Sequence, residues 1–189
     1  MALMNESTMG LTPLFVYSTN RAFRPTNRHF QTTHKTYFYS TMRDFLEDLL
    51  EYTFQMNERV IAQLNARTWP EPEALYRLMN HTLAAHHIWN QRTLGQPPAL
   101  AVWADIPRED LLFLNEQNTH QSRSLLSELP LDHSIDYSNS KGDAFTNSFQ
   151  EILYHIVNHA NYHRAQIATE VRRQGGTPLT TDYIFYKRE

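Results

Sequence analysis

With 189 residues the chain can form one domain with a core of its own, so a bound metal would serve function rather than rescue folding. A hydrophobic share of 41%, a charged share of 20% and a formal net charge of -3 exclude a global basic field for nucleic acid, and no stretch approaches the roughly 18–20 apolar residues needed to cross a bilayer. The absence of cysteine excludes disulfides, thiolate-ligated zinc, iron–sulfur clusters and a cysteine nucleophile, which leaves the ten histidines as the most informative residues.

Residues 1–40 read as an N-terminal tail or extension, and residues 41–189 as the domain. The leader is acid-poor between Glu6 and Asp44, with Arg21, Arg24, Arg28 and Lys35 scattered among Ser, Thr and Asn. A transit peptide, a start codon assigned upstream of Met42 and a flexible tail all fit that composition.

The first helix is expected over about 41–65. Phe45, Leu49, Met56, Val60 and Leu64 recur at helical spacing, and Leu46, Leu50 and Ile61 widen the stripe. Ser40 or Thr41 can cap it, with Asp44 in the first turn. Trp69-Pro70-Glu71-Pro72 breaks the pattern. A second helix follows over about 72–93, with Leu75, Leu78, Met79, Thr82, Ala85 and Trp89 on its buried side, and Gly95 to Pro98 ends it.

Pro107 opens a third helix, about 107–129, through Leu111, Leu114, Leu125 and Leu129. Its middle is polar (Asn115, Asn118, Gln121, Ser122), which weakens the periodic signal. Pro130 stops it. Residues 131–145 form a long connection with a short hairpin suggested around Ser140-Lys141-Gly142-Asp143. Thr146 or Asn147 is the expected cap of the fourth helix, with Gln150 three residues after Asn147. That helix reaches about Arg173 before Gly175-Gly176. Four amphipathic helices with two longer crossings suggest an all-α four-helix bundle.

The fourth helix carries His155, His159 and His163. Residues four apart share a helix face, so either adjacent pair can converge on one ion with metal–nitrogen bonds of about 2.0–2.1 Å. All three cannot, because His155 and His163 lie roughly 11 Å apart along the axis. The wetter end, followed by Arg164 and Gln166, favours His159 and His163. His81, among Leu78, Ala85 and Ile88 on the second helix, is the natural third ligand. His86 and His87 point about 140° and 240° away from it. Spacing alone leaves a hydrogen-bonded structural pair open as the other reading. His120, His133, His29 and His34 look like surface or loop residues. No His-Glu-x-x-His and no Glu-x-x-His occurs, against a zinc peptidase helix and a di-iron carboxylate bundle. Three neutral histidines would leave a dication its full charge and an open position.

The run from His155 through His159, Tyr162 and His163 to Ile167, then Gly175-Gly-Thr-Pro178 and Thr181-Asp182-Tyr183, resembles the C-terminal signature of the DinB family. Leu78-Met-Asn-His81 with Trp89-Asn-Gln-Arg92 resembles its other signature, and Met42-Arg-Asp44 with Asn57-Glu-Arg59 its first helix. The resemblance covers about residues 41–187. It implies an up-down-down-up DinB/YfiT-like bundle, cytoplasmic and often a homodimer. It also implies one divalent ion, commonly nickel or zinc with manganese a further candidate, on His81, His159 and His163. His155 is then a core or neighbouring residue rather than a ligand. Asn57, His86, Tyr162 and Asp182 are candidates for lining the site, and His86 or a carboxylate for its general base. The wider superfamily points to a transferase joining a low-molecular-weight thiol to a small electrophilic substrate. A metal-dependent hydrolase and a non-catalytic, stress-related metal-binding module are the alternatives. Nucleic acid and membrane are not expected partners. The aromatic segment Tyr183 to Tyr186 is expected either at a dimer interface or over the end of the bundle.

Overall fold

The computed structural model describes residues 39–139 and 141–188. The expectations for residues 1–38, including His29 and His34, lie outside the described residues. The described residues are mostly helical, with one small sheet among them: α1 (Met42–Asn65), α2 (Pro72–Thr93), a 3₁₀ turn (Arg108–Asp110), α3 (Leu111–Glu128), β1 (Ser134–Ser138), β2 (Ala144–Ser148), α4 (Phe149–Arg173) and a short turn of helix, α5 (Tyr183–Tyr186). Among the described residues no helix is long and apolar enough to cross a membrane.

Helix α1 starts where its capping residues dictate. The Thr41 hydroxyl accepts from the Asp44 N–H at 3.1 Å, and the Asp44 carboxylate accepts from the Thr41 N–H at 2.9 Å, so two donors of the first turn are satisfied reciprocally. After α1, Trp69 turns inward and its indole N–H donates to the Leu64 carbonyl at 2.9 Å. Its ring also fixes the residue at 176. A Cβ on Gly176 would lie 2.8 Å from Trp69, so only glycine fits beneath the indole. Gly175, with φ +76°, ends α4 in a left-handed turn, and the Gly176 N–H reaches back to the Val171 carbonyl at 2.8 Å.

The four long helices pack crosswise: α1 and α2 each lie against both α3 and α4. Two apolar clusters result. One gathers Val60, Ile61, Leu64, Leu75, Met79, Leu83, Leu111, Ile167 and Val171, and the other gathers Leu46, Leu50, Leu125, Leu126, Ile135, Phe149, Ile152 and Ile156. Along α1, α3 and α4 a polar stretch falls between them in sequence. Its α3 part is the polar middle that weakened the helical signal. Asn115, Asn118 and Ser122 face inward and are fully or almost fully buried, while Leu112 and Phe113 face outward. The Asn115 amide donates to the Phe54 carbonyl at 3.1 Å and its oxygen accepts from Asn57 at 3.1 Å. Asn118 donates to the Leu83 carbonyl at 2.9 Å, and its own carbonyl accepts from Asn90 at 2.9 Å. Each such bond is worth only about 0.5–1.5 kcal/mol net, but a buried amide left without its partner would cost about 1–3 kcal/mol.

The hairpin suggested around Gly142 is present. Strands β1 and β2 pair antiparallel from Ser134↔Ser148 to Ser138↔Ala144. In the turn, the Asn139 side-chain oxygen accepts from the Lys141 and Asp143 N–H groups at 2.8 and 3.0 Å. The strand corrects the expected cap of α4. Pairing with β1 keeps Thr146 and Asn147 extended as far as Ser148, and Ser148 is the residue that caps the helix. Its backbone N–H donates to Glu151 at 2.8 Å, so Glu151 rather than Gln150 completes the cap. Asn147 contributes from outside, its amide lying 3.2 Å from the same carboxylate.

The C-terminal aromatic segment folds back on α1. Tyr39 and Tyr183 both donate to Asp48 Oδ2, at 2.5 and 2.6 Å, and Lys187 Nζ lies 2.6 Å from Asp48 Oδ1. Burial works to raise the Asp48 pKa, but the hydrogen bonds from Lys187, Tyr183 and Tyr39 together outweigh it and hold the carboxyl below its ordinary range. Asp48→Asn is expected to destabilise the chain by about 2 kcal/mol, because the charge that accepts from Tyr39, Tyr183 and Lys187 is removed. Urea unfolding at pH 7 measures the loss. The gap between wild type and variant should close as the pH falls below about 4 and the wild-type carboxyl protonates.

Candidate metal centre

Helix α4 supplies His159 and His163 one turn apart on the same face, and α2, packed against α4, brings His81 to them. One ring nitrogen from each of the three lies within 4.8 Å of the others. The ring centroids stand 4.4 Å apart for His159 and His163, 4.7 Å for His81 and His163, and 5.1 Å for His81 and His159. The closest pair of nitrogens, Nε2 of His159 and Nε2 of His163, is separated by 3.1 Å. Two nitrogens on one tetrahedral ion, each at about 2.0–2.1 Å, stand about 3.3 Å apart, so this pair is already near the bite of a chelate.

Hydrogen bonds on the far side of two rings decide which nitrogens point inward with a lone pair. His81 Nδ1 lies 2.8 Å from the Val102 carbonyl oxygen, which can only accept, so Nδ1 carries the proton and Nε2 is the lone-pair nitrogen. His163 Nδ1 lies 2.7 Å from the Gln166 side-chain oxygen, with the same consequence. Such outer partners orient metal-binding imidazoles and raise their basicity. Burial, then the neighbouring His163, His81 and His155, push the His159 pKa down to about 3. Burial likewise lowers His163, helped by His81 and opposed by Gln166. Both rings are therefore neutral at pH 7, the form that ligates metal without first releasing a proton. Among the described residues no carboxylate joins the group. A donor set of three imidazoles suits a borderline divalent ion such as zinc or nickel better than calcium or magnesium, which prefer oxygen.

The sequence pattern of the DinB family matches residues 42–189. The chain belongs to the DinB family. A curated relative, Protein DinB of Bacillus subtilis (strain 168), is 23% identical to it over 167 residues, covering 77% of this chain and 95% of that protein. The DinB match starts at the first residue of α1 and spans all three histidines of the trio.

The other residues singled out in this DinB chain are dispersed. His155 is exposed, with its ring 5.4 Å from that of His159 and 4.9 Å from that of Trp89, so it flanks the trio and is not a core residue. Tyr162 is exposed and meets His163 edge-on at 5.1 Å. His86 is sealed in the polar stretch facing α3. Ser122 donates to Asn90 at 2.8 Å, so its oxygen accepts from His86 Nε2 at 2.8 Å. Burial, then His87, push the His86 pKa down to about 3. Asn57 touches Asn115 and the buried Arg164 guanidinium, at 3.1 and 2.9 Å, and reaches the trio only through the neighbour of His163. Asp182 is exposed beside a groove formed by α1, α4 and α5. His86 and Asp182 both lie outside the group of converging ligand atoms. His120 and His133 are exposed, as expected of surface residues.

Three contacts were not read from the sequence. The Trp103 indole stacks on His81 at 3.9 Å and 15°, and Val102 supplies the carbonyl that orients the same ring. Both sit in the irregular 94–107 connection, where no periodicity signals which way a side chain points. Gln166 did carry a signal, since residues three apart on a helix touch.

His86 makes the chain acid-sensitive. Its folded pKa lies below the unfolded value of about 6.5, so only the unfolded state takes up its proton between those limits. Stability of the metal-free protein is expected to fall as the pH drops from about 6.5 toward 3, by up to about 1.4 kcal/mol per pH unit for each such histidine. His86→Gln, which keeps a donor for Ser122 and does not titrate, should flatten that slope. Urea midpoints at pH 7, 6 and 5 for both proteins test it, and equal slopes would count against a buried neutral His86.

Proposed function

We propose that this DinB chain is a divalent-metal-dependent enzyme, with His81, His159 and His163 holding one nickel or zinc ion, or manganese, and that it is a transferase joining a low-molecular-weight thiol to a small electrophile. The observation that carries the reading is the convergence of three imidazoles, with no carboxylate among the described residues joining them. When bound, the ion supplies Lewis acidity that lowers the pKa of a coordinated thiol or water. The protein's own groups do the positioning. The Val102 carbonyl fixes His81, Gln166 fixes His163, and the Trp103 indole covers one face of His81. The exposed rings of His155 and Tyr162 flank the trio where a small molecule would enter. In the transfer the thiol gives its proton to a base or solvent, sulfur forms the new bond to the electrophilic carbon, and the leaving group departs with its electron pair.

The crosswise packing of α1 and α2 against α3 and α4 supports reading the four long helices as the up-down-down-up bundle that the family implies. A homodimer belongs to the same reading, supported by the exposed Tyr154, Ile184 and Phe185. Light scattering at micromolar concentration should give twice the chain mass, and a monomer would remove the dimer.

Elemental mass spectrometry of protein purified without a histidine tag should find about one nickel, zinc or manganese ion per chain. The ion should be lost in His159→Ala and in His81→Ala. No stoichiometric metal, even after each ion is added back, would overturn the site and move the reading to a non-catalytic binding module. Turnover that needs no thiol would instead assign the same site to metal-dependent hydrolysis.

A further inference from the structure

A cavity of about 520 Å³ lies between the connection that follows α2 and strand β1, with Arg92, Leu100, Val102, Tyr137 and Ser138 among its walls. It shares Val102 with the histidine site, since the carbonyl of that residue orients His81. Arg92, in the last turn of the same helix as His81, also lines it. Rings lead from there to the histidine site: Arg92 lies over Trp89 at 4.6 Å, Trp89 meets His155 at 4.9 Å, and His155 meets His159 at 5.4 Å.

Arg92 is held as an oriented cation without a counter-charge. Its guanidinium lies over the rings of Trp89 and Tyr137, at 4.6 and 4.9 Å, and one Nη donates to the Ser138 carbonyl at 3.2 Å. Aromatic faces fix the plane of a guanidinium while leaving its edge donors available. Among the described residues no carboxylate pairs with it. Arg123 and Arg173, in contrast, are paired with Glu47 and Glu51 and with Glu71 and Glu170. Asp136 shares the cavity wall but makes no ion pair with Arg92, and its carboxylate accepts instead from the Thr146 hydroxyl at 2.6 Å. A guanidinium has five N–H donors, and a single hydrogen bond to protein is made here. Partial burial, the largest influence on it, disfavours its charge, which an incoming anion would offset.

We propose that this cavity is an oxyanion subsite, in which Arg92 receives a carboxylate or phosphate of the small molecule whose reactive end reaches His81, His159 and His163. The second half of that statement rests on the metal-enzyme reading above, whereas the anion site itself does not. Helix side chains lean toward the N-terminus, so Arg92 leans back toward the trio, and the gap to be spanned is on the order of 10 Å. That length suits a thiol of about tripeptide size carrying its acid group at the far end from its sulfur. A planar oxyanion can accept two parallel N–H bonds from the guanidinium, which an ammonium cannot supply.

Two titrations separate the claims. Metal-free full-length protein is titrated by calorimetry with succinate and with inorganic phosphate. At least one should bind, and which one identifies the acid group. Arg92→Met should weaken that binding at least tenfold, with Arg92→Lys in between. Zinc-loaded protein is then titrated with glutathione and with its diethyl ester. Arg92→Met should weaken the acid at least tenfold and leave the ester unchanged. If Arg92→Met melts early, Arg92→Lys carries both comparisons, because it keeps the charge and loses the planar fork. Binding of neither anion to the wild type, or equal binding by wild type and variants, overturns the subsite. If zinc does not load, the first titration still decides the anion site and only the metal reading fails.

Discussion

The seam between α2 and α4 is the contact on which the candidate site depends. It holds three imidazoles, with Nε2 of His159 and Nε2 of His163 3.1 Å apart. Without an ion His163 Nε2 can accept a hydrogen bond from the His159 Nε2–H tautomer, and an ion would take the place of that proton. Packing elsewhere holds the two rings at that distance. The two apolar clusters do so by lying on either side of the polar stretch along α4, with Ile152 and Ile156 before the histidines and Ile167 and Val171 after them. The helix cannot rotate His159 out to solvent without lifting one of those clusters out of contact.

The polar stretch between the clusters gives the packing a register. Apolar surfaces tolerate sliding, because one methyl group resembles another. An amide that must meet a particular carbonyl does not. Asn115 against Phe54, Asn118 against Leu83 and Ser122 against Asn90 each fix one height of α3 relative to α1 or α2. The sealed His86 belongs to this lattice. Its burial beside Ser122 makes it a structural partner of α3, although its residue type suggested chemistry.

Much of the fold was legible because its punctuation is local. Thr41 with Asp44, Pro72 and Gly175 mark ends that need no tertiary knowledge, and α1, α2 and α4 run close to the spans their periodicity indicates. What could not be read depended on distant partners. The inner face of α3 is polar, so a search for apolar spacing sees its weaker side. The cap of α4 shifted to Ser148 because β1 holds Thr146 and Asn147 in a strand, a pairing their own side chains do not announce. The trio was readable for a different reason. The i,i+4 spacing of His159 and His163 restricts the answer to one helix face, and a third imidazole had to come from a neighbouring helix. Angular position on α2 distinguished His81 from His86 but could not say that His86 would meet a serine. Trp103 and Val102 come from an irregular connection, where only the folded chain says what touches what.

The clasp at Asp48 has a consequence for how the chain is made. Its carboxylate sits in the first helix, and two of its three partners, Tyr183 and Lys187, are among the last residues described. At synthesis rates of about 5–20 residues per second, α1 would emerge on the order of ten seconds before them. Until Tyr183 has been made, Tyr39 alone of these three partners is available to Asp48, and the side of α1 that Tyr183 and Tyr186 cover by resting on Tyr52 stays open. The final closure joins residues far apart in the chain, the slowest kind of contact to form. This DinB chain therefore closes the Asp48 clasp only after residue 187 is available, with α1 exposed to chaperones or to a neighbouring nascent chain in the meantime.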